Sequence, residues 1–331
     1  MFDRFGEPAD VLSMRDIPTP QPATGEVLVR MLASPVNPSD LMTIRGVYGK
    51  VPELPAVPGY EGVGIVESSE AGLYGRLLVG KRVAVMNAHG GNWQDRVAVP
   101  AKSVIPLPKD VPLDQASMFF VNPAAAYLMT RKVLAVPAGE WLVQTGAGSA
   151  LGRMVIRLGV QFGFKTFNIV RREEQADELR SLGGHAVVAF DSERQSADEL
   201  REHVVRHVGR DGVLYAIDPV GGATASAVIA CLGRGGRMLV YGTLSPDPLT
   251  FSSRTLMTVG ASVEGFWLSL VMERMPFLSK LGLIRALTRL IQRGVLTSEV
   301  GEEFPLEAVQ SAVRSAEQPG KSGKVLLRIN D

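Results

Sequence analysis

Through the first third of the chain, apolar and polar residues alternate over short runs. Glu26–Met31 (EVLVRM), Gly62–Val66 and Arg82–Val85 carry the period of two that a half-buried strand requires. Pro, Gly and β-branched residues separate these runs, so the region to about Pro112 reads as all-β with many turns. From Leu113 the pattern changes to helix–strand alternation. The spacing predicts helices over 123–133, 173–182, 197–208 and 223–232, interleaved with strands over 141–143, 165–170, 186–189, 213–217 and 237–241. Strands joined by helices make a doubly wound parallel sheet, so the fold class is α/β. After Val259 a strand over 261–268 (ASVEGFWL), an amphipathic helix over 281–293 and a last strand over 324–329 are expected. No internal repeat interrupts this order, and PTPQP at Pro18–Pro22 is only a short stiff loop.

The junction between strand 141–143 and the next helix carries the first chemistry. It reads Gly146, Ala147, Gly148, Ser149, Ala150, Leu151, Gly152, one residue longer than G-x-G-x-x-G. Glycines let the backbone approach a pyrophosphate, and unpaired N–H groups at the helix start hold its charge. The usual dinucleotide site has an acidic residue about 20 positions beyond, on the adenosine ribose. Here the end of strand 165–170 holds Arg171 and Arg172 instead. A basic pair suits a 2′-phosphate, so NADPH is the expected cofactor.

Composition narrows the class. The chain has 331 residues, 46% hydrophobic, with a formal net charge of +1. That length allows two domains with cores, and the charge balance gives no reason to expect nucleic acid or a membrane surface as partner. No run reaches the ~18 apolar residues of a bilayer span. Asp3, Glu7 and Asp10 stand where a secretory signal would be apolar, so a cytoplasmic protein is expected. Cys231 is the only cysteine, which excludes an intramolecular disulfide and a cysteine-based metal cluster.

Two stretches of the β-rich region carry a resemblance: VNPSDLMTIRG (Val36–Gly46), with Tyr48 just beyond, and PGYEGVG (Pro58–Gly64). With GGNWQDRVAVP, NPAAAY, the glycine turn, NIVRR and GFWLS in order, the chain resembles the medium-chain dehydrogenase/reductase superfamily. It is most similar to the zinc-free branch of quinone oxidoreductases and mitochondrial-type trans-2-enoyl-thioester reductases. The resemblance implies a GroES-like catalytic domain over 1–115 and 266–331 and a Rossmann NADP-binding domain over 116–265. It implies a cleft between them, a homodimer, and an enoyl thioester, enone or quinone as substrate.

In zinc alcohol dehydrogenases of that superfamily, a Cys and a His hold the catalytic metal. The corresponding places here carry Asn37 and Tyr60, and an amide and a phenol do not replace a thiolate and an imidazole at tetrahedral zinc. No metal is therefore expected, and hydride transfer to an activated C=C bond becomes the natural chemistry. The resemblance places the active-site tyrosine at Tyr48, as proton donor, and gives Asn37 a contact to cofactor or substrate. It adds Tyr241, Gly242, Phe266 and Trp267 to the cofactor's surroundings, and Trp93 and Trp267 to the acyl pocket. One departure is read at Ala126, where the enoyl reductases carry a threonine in N-P-x-T-A-Y. The alternatives are a quinone or alkenal reductase and, from another class, a catalytically silent NADPH-binding protein. Four decoys are set aside. His203 and His207 read as a solvated helical face, Ser149 lacks the flanking glycines and later histidine of a hydrolase, and Asp218 reads as a turn-shaping residue. Glu173 and Glu174, which would repel a phosphate beside the arginines, read as first-turn helix residues pointing away.

Overall fold

The computed structural model describes residues 1–49, 51–87, 90–209, 212–318, 320 and 323–331. Its strands are β1 (Glu26–Pro35), β2 (Glu61–Ser69), β3 (Arg82–Met86), β4 (Arg96–Pro100), β5 (Val104–Pro106), β6 (Trp141–Gln144), β7 (Lys165–Val170), β8 (Ala186–Ala189), β9 (Val213–Asp218), β10 (Leu232–Val240), β11 (Ser262–Gly265), β12 (Val300–Pro305) and β13 (Lys324–Arg328). The chain divides into two compact units, Met1–Asn122 with Ala286–Asp331, and Pro123–Arg285. These limits fall later than the expected 115 and 265.

The first unit is built on a seven-stranded sheet ordered β12-β13-β1-β2-β3-β5, with β4 also on β1. Alternation sends Val27, Val29 and Met31 of β1, Val83 and Val85 of β3, and Val97 and Val99 of β4 into one apolar cluster. A second cluster joins Phe2, Val36, Leu41, Ile44 and Trp93 to Leu306, Val309, Val313 and Val325. The C-terminal β12, the helix Val309–Glu317 and β13 thus complete a core begun at residue 2.

The second unit has a six-stranded parallel sheet ordered β11-β10-β9-β6-β7-β8. Numbered within the unit, that is the 3-2-1-4-5-6 order of a dinucleotide-binding fold read from the other edge, with its switch point between β6 and β9. The helix Ala150–Phe162 starts at Ser149, whose hydroxyl accepts from Gly152 N, and stops at Gly163 in the left-handed region (φ 76°). The helix Ala197–Val208 has a capping box between Ser196 and Glu199.

Several elements differ from expectation. The strand over 261–268 shortens to Ser262–Gly265 because β10 runs out at Val240, opposite Gly265. The chain then turns into a helix at Leu268. β10 begins at Leu232 rather than Arg237, absorbing the glycines of LGRGG in a register shift, so the preceding helix ends at Ile229. The helix expected over 123–133 starts at Val121, and its last turn, Met129–Val133, is π-helical. β12 and the helix Val309–Glu317 were not anticipated.

Candidate functional site

At the carboxyl edge of the parallel sheet, the β6 turn is held by several contacts within its own unit. Gly146 takes φ 57° against Pro219, a conformation that favours glycine. Gly152 packs so closely on Ala147 that a Cβ there would lie 2.5 Å from the Ala147 carbonyl oxygen. Gln144, buried in β6, donates from Nε2 to Gly152 O at 3.0 Å, and Arg153 Nε donates to Gly148 O at 3.1 Å. Ser149 is exposed at the helix start, Ala150 is half-buried and Leu151 turns into the core. The arrangement leaves a glycine cradle at a helix N-terminus, which fits a pyrophosphate. Arg171 and Arg172 follow β7, both exposed, and neither takes part in an ion pair among the described residues. Glu173, which stands next to them, turns to Arg180 at 3.8 Å.

The neighbouring strand ends bring together Thr145, Asp218 and Tyr241. Asp218 is fully buried; Thr145 Oγ1 donates to its Oδ1, and Gly221 N donates to its Oδ2 at 2.8 Å. Asp218 therefore shapes the turn after β9, and burial raises its pKa. Tyr241 N donates to Asp218 O at 2.8 Å, whereas the buried Tyr241 hydroxyl has no hydrogen-bond partner among the described residues. Gly242 abuts Pro219, where a Cβ would meet the Pro219 oxygen at 2.7 Å. Phe266 is buried and bonds Val240 O through its N–H, while Trp267 stays 39% exposed.

In the other unit, Asn37 caps the helix Pro38–Ile44. Its amide donates to Glu61 Oε1 at 2.9 Å and accepts from the Lys324 ammonium, which is buried with it. Glu61 Oε2 in turn accepts from Val121 N at 2.9 Å. Asp40 accepts from Asn37 N at 2.8 Å and from Tyr60 N at 3.0 Å. Burial pushes the Asp40 carboxyl up to about 7, raises Glu61, and lowers Lys324 against the pull of both carboxylates.

Above this cluster Tyr60 and Tyr48 face each other, rings 5.8 Å apart and tilted 54°. Thr43 Oγ1 gives its one proton to Ser39 O at 2.8 Å, so in its 2.6 Å contact with Tyr60 the phenol is the donor. Burial raises the Tyr60 pKa. The two positions that hold metal ligands in zinc alcohol dehydrogenases thus carry side chains already engaged with Glu61, Lys324 and Thr43.

Trp93 is 4% exposed and belongs to the core cluster with Phe2 and Leu41, its ring against the Gly59 backbone. Counted from Asn122 and Pro123, the threonine place of N-P-x-T-A-Y is Ala125, one residue before the Ala126 read from the sequence. Both alanines are buried. His207 meets Phe167 edge-on at 5.4 Å, and among the described residues no group of His, Cys, Asp and Glu could hold a metal. Sequence reasoning missed Lys324, Glu61 and Gln175, whose amide lies over Gly148. A lysine before the apolar run of β13 and a glutamate opening β2 were the available signals.

A glycine cradle on a 3-2-1-4-5-6 sheet, in a chain that also carries a GroES-like β unit, defines a dinucleotide-dependent oxidoreductase. Residues 23–109 match the family model of the alcohol dehydrogenase GroES-like domain, and residues 150–281 that of zinc-binding dehydrogenases. The human mitochondrial enoyl-[acyl-carrier-protein] reductase is 33% identical over 334 residues, covering 99% of this chain and 87% of that protein. Among solved structures, a Bacillus thuringiensis protein assigned as an NADPH:quinone reductase has TM-score 0.91 and 30% identity, covering 99% of this chain and 98% of that one. The mitochondrial 2-enoyl thioester reductase heterodimer Etr1p/Etr2p of Candida tropicalis has TM-score 0.84, 26% identity and the same coverage. Etr1p with NADP and crotonyl-CoA has TM-score 0.83 and 25% identity, again over 99% and 98%. The chain belongs to the zinc-free branch of the medium-chain dehydrogenase/reductase superfamily.

Proposed function

We propose that this protein is an NADPH-dependent, metal-independent reductase of an activated C=C bond, with a trans-2-enoyl thioester as substrate. The cofactor rests on the turn from Gly146 to Gly152 and on Arg171 and Arg172, with Tyr241, Gly242, Phe266 and Trp267 toward its nicotinamide half. Bound NADPH supplies the hydride that goes to the β-carbon of the enoyl group. Charge then builds on the thioester oxygen, and the α-carbon takes a proton from Tyr48.

One observation carries that assignment. Of the two facing phenols, Tyr60 has its proton committed to Thr43, and we assign the acid to Tyr48, where the family resemblance puts it. Asn37 enters this reading as a positioning residue, because its amide already bonds Glu61 and Lys324. Trp93 is 4% exposed in the core of its own unit, so of the two tryptophans only Trp267, 39% exposed, is kept in this reading as a residue of the acyl pocket. We also take the protein as a homodimer through the edge strand β11, which light scattering checks.

Tyr48→Phe keeps the ring and removes the acid. Turnover of crotonyl-CoA should fall ~10²–10⁴-fold while NADPH binding stays near the parent value. A Phe variant reducing crotonyl-CoA at the parent rate would sink the role of Tyr48. A second reading, quinone reduction, is favoured by the Bacillus thuringiensis likeness at TM-score 0.91 and by Ala125 in the threonine place. A quinone takes its protons from solvent, so the same variant would keep its quinone activity.

A further inference from the structure

Between Glu273 and Glu299 the chain carries five basic residues, Arg274, Lys280, Arg285, Arg289 and Arg293, and no acidic one, although overall it balances 35 basic residues against 34 acidic. Most of that run is the helix Phe277–Gln292. Its apolar side is taken up by the core, where Leu283, Leu287, Leu290 and Ile291 are all buried. At about 100° per residue, Leu278, Arg285 and Arg289 stand on the opposite side within about 40° of one another, and Arg293 follows about 40° further on. Arg293 N still donates to Arg289 O at 3.1 Å, so the helical path continues to it. The three arginines are exposed, and none makes an ion pair or a side-chain hydrogen bond among the described residues. The described contacts bring one carboxylate to this helix, Asp110, which accepts from Gln292 Nε2 at 2.9 Å.

Guanidinium groups at intervals of about 6 Å, along about 12 Å of ridge, match carboxylates repeated every fourth residue on a partner helix, which has the same rise. Like charges at i, i+4 destabilise the helix that bears them, so an anionic partner relieves a cost that the free protein carries. Arginine suits carboxylates in particular, through its paired N–H donors. A bilayer fits this face less well, because the helix has no free apolar side to bury. Only Phe277, 71% exposed, and Leu278, 78% exposed, reach outward, both in its first turn. A thioester substrate arrives on a carrier thiol, and of the carriers a protein can offer such a row of carboxylates. We infer that this arginine face docks an acidic carrier protein that presents the enoyl thioester, with Leu278 as the apolar contact at one end. The inference rests on the reading of the substrate as an enoyl thioester.

Initial rates with crotonyl-CoA and with crotonyl-acyl carrier protein test it, in the parent and in Arg285→Glu with Arg289→Glu. At about 0.01 M ionic strength, where charges act over about 30 Å, the double variant's KM for the protein-bound thioester should rise about tenfold or more. At about 1 M, where screening cuts that reach to about 3 Å, parent and variant should come within about twofold of each other. KM for crotonyl-CoA, kcat for both substrates and the melting temperature should stay near the parent values, since both side chains are exposed. An unchanged KM for the protein-bound thioester overturns the inference. So does an equal rise for crotonyl-CoA, which would give the arginines to a nucleotide's phosphates, or a parent that reduces crotonyl-CoA but not the protein-bound form. Vesicles of phosphatidylcholine and phosphatidylserine that sediment the parent but not the variant would assign the face to a membrane and equally overturn it. A parent that reduces neither thioester would instead refute the thioester reading on which the inference stands.

Discussion

Gly152 is the position where the smallest change should do the most damage. Replacing it with Ala adds one methyl group, which would stand 2.5 Å from the Ala147 carbonyl oxygen, 2.7 Å from Ala147 Cα and 2.8 Å from its carbonyl carbon. All three are backbone atoms, so no side chain can swing away. The backbone on either side is also pinned. Ala147 N bonds Ile169 O at 3.2 Å, Gly152 N bonds Ser149 Oγ at 3.1 Å, and Gly152 O receives Gln144 Nε2 at 3.0 Å. Relief requires a shift approaching 1 Å at the root of the helix Ala150–Phe162, with overpacking strain and at least one strained hydrogen bond. Together these cost roughly 2–4 kcal/mol. At about 2–4 °C per kcal/mol the melting temperature should fall by about 5–15 °C, and the displaced N–H groups should weaken NADPH severely. Gly282→Ala is the control. It lies in the helix Phe277–Gln292 with nothing within 4 Å of the added carbon, and should be stabilising by about 0.5–1 kcal/mol. Calorimetry and a fluorescence titration with NADPH read both variants. A Gly152→Ala protein with the parent's melting temperature and affinity would refute the close-approach reasoning.

Two further expectations follow from charge. Asp40 has a folded pKa raised to about 7 from 3.8, chiefly by burial, so the folded state holds its proton more tightly than the unfolded chain. Its contribution to stability should therefore fall as pH rises from about 4 to 7 and level off above. A shift of about three units corresponds to up to about 4 kcal/mol across that window. The destabilisation caused by Asp40→Asn should accordingly shrink between pH 5 and pH 8 in urea unfolding, and a pH-independent difference would contradict the assignment. Arg171→Ala with Arg172→Ala should raise the Michaelis constant for NADPH tenfold or more while leaving NADH little changed, since charge-assisted contacts to phosphate are among the stronger hydrogen bonds. Equal use of both cofactors by the unaltered protein would remove the basis for that discrimination.

The chain shows its cofactor unit openly and its other site hardly at all, and the reason is distance along the sequence. Turn, helix start and basic pair lie within Gly146–Arg172, so local spacing and residue type were enough to find them. The Asn37 site is assembled from residues 37, 40, 60, 61, 121 and 324, and its key contact joins positions 287 residues apart. Nothing in the neighbourhood of Lys324 says that its ammonium will be buried against an amide oxygen; that follows only once β13 has paired with β1. Asn37 was consequently read as a contact to cofactor or substrate without its two protein partners, Glu61 at the amide nitrogen and Lys324 at the oxygen. The strand over 261–268 failed in the opposite way. Its apolar run looked continuous, but strand length is set by the partner, and β10 stops at Val240. Residue pattern thus located what a segment can settle alone, and missed what depends on a second segment arriving. For the proposed mechanism this has a consequence: Tyr60 directly precedes β2, which Glu61 opens, and Tyr48 follows the helix Pro38–Ile44, whose first turn holds Asp40. A buried carboxylate pair next to one lysine is sensitive to proton uptake, so the site that orients the acid is also where pH acts on the fold.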